Sequence, residues 1–286
     1  MREAEPLTVR VPASSANLGA GFDVLGAALD LHLDAGVGHA PDDAQIIDGH
    51  HPAAKAFVAA GGSEDESIWI RSAIPMGRGL GFSGAARVAG ASLGAVIGAG
   101  DREAALATGL DQVVEVASEL EGHGDNAAAS VFGGVVAWVG GRALPLRVGP
   151  RLSAATAVVW IPDATTSTPR SRGALPAEVA RVDAVHNLGR VAQFVLAVEQ
   201  DDPSLLIGAT DDRLHQSIRL PLVPDAADAL AAGFAAGAWC GWLSGSGPTV
   251  AFLTDATTSA AVIASLPESG HVKQLRIARR GVHLPT

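Results

Sequence analysis

Several short stretches hold residues whose types and spacing could do chemistry. The richest is Pro75-Met76-Gly77-Arg78-Gly79-Leu80-Gly81-Phe82-Ser83-Gly84-Ala85. Its glycines let the main chain turn N–H groups inward and come close to a ligand. The alternating run Ile68-Trp69-Ile70-Arg71 predicts a strand leading into it, and the small and aliphatic residues 85–97 predict a largely buried helix behind it. Unpaired amides and the helix dipole at such a junction suit a polyphosphate. Gly79-x-Gly81-x-x-Gly84 also fits a dinucleotide fingerprint, with Asp101 as the ribose acid. Asp101 lies, however, in a turn between two helical stretches and follows no second apolar strand. A glycine turn that merely packs a helix on a sheet is the bland alternative for this loop alone.

Three further groups stand out. In Pro12-Ala13-Ser14-Ser15-Ala16-Asn17-Leu18-Gly19-Ala20-Gly21-Phe22-Asp23, Asn17 and Asp23 put an amide and a carboxylate on one short connection. That suits a small polar substrate bearing an ammonium group, although each residue alone reads equally as a turn cap. Glu119, Glu121 and Asp125 crowd the end of a helix expected over residues 103–120 and stopped by Gly122. Acids there oppose the helix dipole unless a cation offsets them. Magnesium, with hard oxygen ligands, fits as well as a solvated acidic end does. Arg172 and Arg219 sit in polar loops; arginine grips a carboxylate with two parallel hydrogen bonds, and a pair of surface arginines is the plain alternative. His50 and His51 are adjacent without further ligands at metal-binding spacing.

The elements that must position these groups come from a chain of 286 residues, 48% hydrophobic and 17% charged, long enough for two modest domains. A net charge of −10 argues against nucleic acid or an anionic membrane as a partner. The single cysteine, Cys240, excludes an internal disulfide and a cysteine metal cluster, and a reducing cytoplasm is expected. Residues 1–5 carry no apolar core, and no stretch is apolar enough to span a bilayer. The only lysines are Lys55 and Lys273, neither in the glycine loop. A lysine-dependent phosphate loop is therefore excluded, and amides, a helix dipole, magnesium and Arg78 would have to balance a triphosphate.

Strands are expected over residues 7–11, 133–138, 155–161, 250–253 and 272–278. Helices are expected over residues 52–60, 176–199, 225–236 and 257–266. The stretch from His39 to Glu66 otherwise gives little signal. Leu243-Ser244-Gly245-Ser246-Gly247-Pro248-Thr249 is a second glycine-rich turn. Strands separated by helices after a mixed first half predict an α+β protein in two layers, divided near residue 150.

The combination resembles the GHMP small-molecule kinases, and among them the homoserine kinases. The resemblance rests on four strings in order: residues 11–23, Arg78-Gly79-Leu80-Gly81-Phe82-Ser83-Gly84-Ala85-Ala86, Glu121-Gly122-His123-Gly124-Asp125-Asn126, and residues 243–249. Asp211-Asp212-Arg213-Leu214-His215-Gln216 adds a fifth. It implies an α+β fold: an N-terminal domain (1–150) like domain 2 of ribosomal protein S5 that binds ATP, and a ferredoxin-like C-terminal domain (151–286). It implies that ATP and Mg2+ serve to phosphorylate L-homoserine in the cytoplasm, without nucleic acid or membrane, in a protein compatible with a homodimer. Pro75 to Ala85 would wrap the phosphates; Ser83 with Glu119, or Glu121 as second choice, would face the metal. Asp23 would take the substrate ammonium, and Arg172 and Arg219 its carboxylate. Asn17 and Asn126 would stand near the reacting hydroxyl, with Arg172 as a further catalytic group; His123, Asp125, Thr168 and Gly245 would line the same pocket, and His51 would lie near adenine. Phe82 stands where the family usually has serine, and Gly84 where alanine or serine is usual. The alternatives are a kinase for another small amino alcohol, and a binding or regulatory homologue weakened by Phe82.

Overall fold

The computed structural model describes residues 7–285. Its first sheet is built around β2 (Leu25–Val37). Along one edge β2 pairs with β1 (Leu7–Ala16); along the other its two halves pair with different strands. The chain continues through β3 (Gln45–Ile46), α1 (Pro52–Ala59), β4 (Ile68–Ser72), α2 (Phe82–Val96), α3 (Arg102–Glu121), α4 (Asp125–Phe132), β5 (Val135–Val139) and β6 (Arg142–Leu146). The sheet order is β3-β4-β2-β5-β6, with β1 beside β2, and every pairing is antiparallel. β1 runs through Ala16, so the stretch expected as one tight loop from Pro12 is strand up to Asn17.

α2 is the buried spine of this half, as its composition predicts. Its crossing with α1 depends on two glycines one turn apart. A Cβ on Gly90 would lie 1.9 Å from the Ala53 carbonyl oxygen, and one on Gly94 would lie 2.5 Å from that of Phe57. Asp101 caps α3, accepting from the amide of Ala104 at 2.9 Å, which accounts for it without a ribose.

The second half contains α5 (Pro150–Ser153), β7 (Thr156–Pro162), α6 (Thr168–Gly173), α7 (Arg181–Glu199), α8 (Gln216–Arg219), α9 (Ala226–Ala235), β8 (Cys240–Leu243), β9 (Val250–Thr254), α10 (Ser259–Ser265) and β10 (Gly270–Leu275). Its sheet order, β10-β7-β9-β8, is antiparallel and ferredoxin-like. β7 is buried on both faces: Ala157, Val159 and Ile161 join the core shared with the first half, and Val158 and Trp160 face α9 and α10. Burial pushes the Cys240 thiol up to about 12, so it is an inert packing residue. α7 begins at Arg181, later than its apolar residues suggest. Val182, Val185 and Leu188 on it are exposed. The sheets part between β6 and β7, yet residues 276–283 return to the first sheet. There Ala278 exchanges hydrogen bonds with Ala28 and Gly134, and His283 bridges Arg10.

Gly90→Ala is expected to destabilise the protein by about 1–3 kcal/mol, because the added methyl meets main chain that cannot turn away. Urea unfolding midpoints of the two proteins measure this.

Candidate active site

One cleft of about 640 Å³ lies where the glycine loop, the loop after β1, the start of α4 and the turn between β8 and β9 meet. Gly77, Gly79 and Gly81 all have positive φ (66°, 71° and 69°) and line it. Side chains are excluded at two of these positions by contact as well. A Cβ on Gly79 would lie 2.3 Å from the Ser244 carbonyl oxygen, and one on Gly81 would lie 2.1 Å from Ser14 Oγ. Gly81 caps α2 without a side-chain bond, so the first amides of that helix open on the cleft.

A buried relay fixes the loop to the second sheet. Trp242 Nε1 donates to Ser15 Oγ (2.8 Å), the Ser15 and Ser244 hydroxyls are 2.7 Å apart, and Ser244 donates to the Gly79 carbonyl (2.5 Å). Every hydroxyl in the relay thus has a donor before it and an acceptor after it. None of its side chains was singled out by the sequence.

The loop residues expected around ATP divide. Phe82 and Ser83 line the cleft beside the three glycines. Leu80 and Ala85 are buried in the core, Met76 is exposed, and Pro75 and Gly84 do not line it. Arg78, expected to balance phosphate charge, turns away instead, donating to the carbonyls of Pro162 (3.1 Å) and Asp163 (2.9 Å) at the end of β7. The Phe82 ring forms a wall, packed edge-on to His51 with centroids 6.2 Å apart, and leaves the cleft open. His51 itself caps α1, accepting from Ala53.

Of the two acids proposed for metal, Glu121 reaches the cleft and Glu119 does not. Two residues along a helix turn a side chain by roughly 200°, so Glu119 is exposed on a separate groove with Glu115 and Gly141. The Arg87 guanidinium contacts both Ser83 Oγ and Glu121 Oε2, drawing hydroxyl and carboxylate to one point. Among the described residues there is no cluster of three or more His, Cys, Asp or Glu that could hold a metal.

At the other end of the cleft, Asp23 and Arg172 grip each other through two hydrogen bonds of 2.6 and 2.9 Å. The Arg172 pKa is raised, chiefly by this contact. Asn17 spends its amide on structure. Its Oδ1 accepts from the Asp23 amide (3.1 Å), holding Asp23 at a positive φ of 57°, and its Nδ2 donates to the Gly245 carbonyl (2.8 Å). It lines the cleft and also positions its neighbours. Asn126 lines it too, with Oδ1 accepting from Ser14. Asp125 is buried; it accepts from the Asn126 amide and pairs with His123 Nδ1, both at 2.8 Å. Burial opposes a charge on His123, but Asp125 outweighs it and raises the pKa. Gly245 is at the rim. Thr168 opens α6, and its side chain lies outside the described residues.

Arg219 is held by the string 211–216. Asp212 accepts from the amides of His215 (2.9 Å) and Gln216 (2.7 Å) at the start of α8 and from Asn187 Nδ2 (2.7 Å). His215 Nε2 meets the Gly19 carbonyl (2.9 Å), which makes Nε2 the protonated nitrogen; Nδ1 then accepts from Arg219 (3.4 Å). Phe22 packs on His215, and the guanidiniums of Arg172 and Arg219 lie 5.7 and 5.1 Å from its ring centre. Phe22, His215, Asn187 and Thr166 were not foreseen as site residues. Thr166 lines the cleft with a buried hydroxyl that has no partner among the described residues, while its amide donates to the Gly77 carbonyl (3.0 Å).

With this geometry established, comparison with known proteins is decisive. Residues 49–134 match the GHMP kinases N terminal domain and residues 194–272 the GHMP kinases C terminal domain. The chain belongs to the GHMP kinases. This GHMP kinase is 39% identical over 268 residues to a homoserine kinase of Thermus thermophilus, covering 90% of this chain and 89% of that protein. A homoserine kinase of Streptomyces avermitilis is 38% identical over 300 residues, covering 97% and 95%. Its fold matches the crystal structure of homoserine kinase from Cytophaga hutchinsonii with a TM-score of 0.81 over 100% and 99% of the two chains at 23% identity. Methanococcus jannaschii mevalonate kinase matches at 0.70 over 97% and 99%, at 12% identity. Membership of this family makes the chain an ATP-using kinase. No helix among its described residues is long and apolar enough to cross a membrane.

Thr166→Val should leave folding stability unchanged or slightly higher, since it removes an unpartnered hydroxyl, and should lower kcat/KM about tenfold if that hydroxyl bonds a ligand. Thermal melts and steady-state kinetics separate the two effects. His215 supplies a pH dependence. Its folded pKa lies below the ordinary 6.5, first because of burial and then Arg219, against the pull of Asp212, the Gly19 carbonyl and Asp23. The unfolded chain therefore takes the proton first, and stability present above 6.5 is lost as pH falls below it. His32 and His51 shift the same way. In His215→Gln, denaturation midpoints measured from about pH 7 to about pH 5 should fall less steeply than in the parent.

Proposed function

We propose that this GHMP kinase transfers the terminal phosphoryl group of ATP to the hydroxyl of L-homoserine, giving O-phospho-L-homoserine and ADP. The observation that carries this reading is one cleft with a carboxylate, Asp23, and two guanidiniums, Arg172 and Arg219, at one end, and the glycine loop at the start of α2 at the other. An α-amino acid is the small molecule whose charges match Asp23 and the two arginines. Its side-chain hydroxyl then points along the cleft toward the phosphates. The 38–39% identity to proteins named homoserine kinase over most of the chain supports this choice of amino acid.

The loop amides and the first turn of α2 would receive the phosphates, and the loop's lack of lysine leaves the cationic contribution to groups across the cleft. His123, held toward its charged form by Asp125, would supply it. Asn126 at the start of α4 would orient the accepting hydroxyl. An amide is no strong base, but phosphoryl transfer through a loose transition state depends mainly on alignment and charge stabilisation.

Ser83 and Glu121 fit a magnesium ion. Their oxygens are hard donors that already converge on one cation, the Arg87 guanidinium, and a single carboxylate with phosphates is the usual magnesium arrangement. When bound there, the ion would neutralise charge on the phosphate oxygens.

ADP release should be fastest with homoserine when serine, threonine and mevalonate are compared at equal concentration; no preference would reject the reading. Glu121→Gln should lower kcat/KM by about 100-fold and raise the Mg2+ needed for half-maximal rate, as expected where several kcal/mol of charge stabilisation depend on a metal. Glu119→Gln should stay within about twofold of the parent, the usual size of a surface change.

A further inference from the structure

The charges at the amino-acid end of the cleft are not equivalent. Asp23 and Arg172 are closed on each other at 2.6 and 2.9 Å, with side chains 34% and 35% exposed. Arg219 is 2% exposed, and no carboxylate among the described residues lies within ion-pair distance of it. Its contacts are long ones to the carbonyls of Ser171 (3.3 Å) and Gly245 (3.5 Å) and to His215 Nδ1 (3.4 Å). Burial, and then the charge of Arg172, lower its pKa. Phe22 sits against both guanidiniums. The cleft therefore presents one under-compensated buried cation beside a closed ion pair.

We propose that the Asp23–Arg172 pair is a specificity latch that only a zwitterion opens without stranding a charge. This rests on the α-amino-acid reading above. An incoming ammonium takes over Asp23, and the adjoining carboxylate takes over Arg172 together with Arg219; one ion pair is exchanged for two. A ligand with a carboxylate alone reaches Arg219 but finds Arg172 occupied. A ligand with an amine alone must pull Asp23 away and leave two like charges over one aromatic ring. Removing one partner from a partly desolvated pair is the costly operation. The latch thus discriminates by penalising half-matched ligands as well as by welcoming the matched one.

Two analogues isolate the halves: 4-hydroxybutyrate is homoserine without its amine, and 3-aminopropan-1-ol is homoserine without its carboxylate. Binding of each is measured by calorimetry on the full chain. In Asp23→Asn, a change that the positive φ of 57° tolerates well, 4-hydroxybutyrate should bind on the order of tenfold more tightly than to the parent, and 3-aminopropan-1-ol more weakly. In Arg172→Gln the order reverses: 3-aminopropan-1-ol gains by about the same factor, and 4-hydroxybutyrate loses. Homoserine weakens in both. A pair that only braced the fold would weaken all ligands alike, so unchanged or weaker binding of either analogue to the variant that should favour it overturns the latch. If Arg172→Gln does not fold, the Asp23→Asn arm decides alone. Failure of homoserine to bind the parent protein would instead overturn the substrate reading, while the crossing of the two analogues still reports on the latch.

Discussion

The structure depends on the contact between two turns that come from different sheets. The Gly79 region of the first half and residues 244–247 of the second approach so closely that a single methyl group on Gly79 would overlap the Ser244 carbonyl. The relay from Trp242 through Ser15 and Ser244 to Gly79 fixes that contact, and Asn17 reaching Gly245 reinforces it. Because both turns also border the cleft, the interaction that joins the halves is the one that shapes the site. The glycine loop cannot shift without disturbing the interface, and the interface touches Asp23 through Asn17.

This constraint explains what was legible in the sequence. Glycines needed for positive φ and close approach, and charged residues amid small polar ones, announce themselves by type, so Gly79, Gly81, Asp23, Arg172 and Arg219 could be named without coordinates, although the two arginines, expected in loops, lie in the short helices α6 and α8. α2 was equally plain, since an unbroken run of small and aliphatic residues has few other uses. Residues that act by holding others leave no such mark. Ser15, Asn187 and His215 are ordinary polar residues until Ser244, Ala20 and Gly19, which lie 229, 167 and 196 positions away along the chain, are brought beside them. β2 was missed for a related reason. Its first half, Leu-Gly-Ala-Ala, has poor strand propensity and is held between β1 and β5 by pairing, not by local preference. The choice between Glu119 and Glu121 depended on helix rotation, which a two-residue uncertainty in register reverses.

A chain with so few lysines must gather positive charge by other means, and the cleft shows how. Helix starts supply fixed dipoles, arginines are locked by carboxylates or packed on an aromatic ring, and one imidazole is biased toward its cation by Asp125. Most of these charges are pre-paired within the protein. Arg219, buried and without a carboxylate partner among the described residues, is the exception. Arg87 between Ser83 and Glu121 and Arg172 against Asp23 are the same device at opposite ends of one cleft.

The return of residues 276–283 to the first sheet has a mechanical consequence. The two sheets are linked by chain at two places, once between β6 and β7 and once beyond β10. The halves therefore cannot be parted at one face alone: residues 276–283 must also be stripped from the first sheet, so the returning segment acts as a strap across the joint.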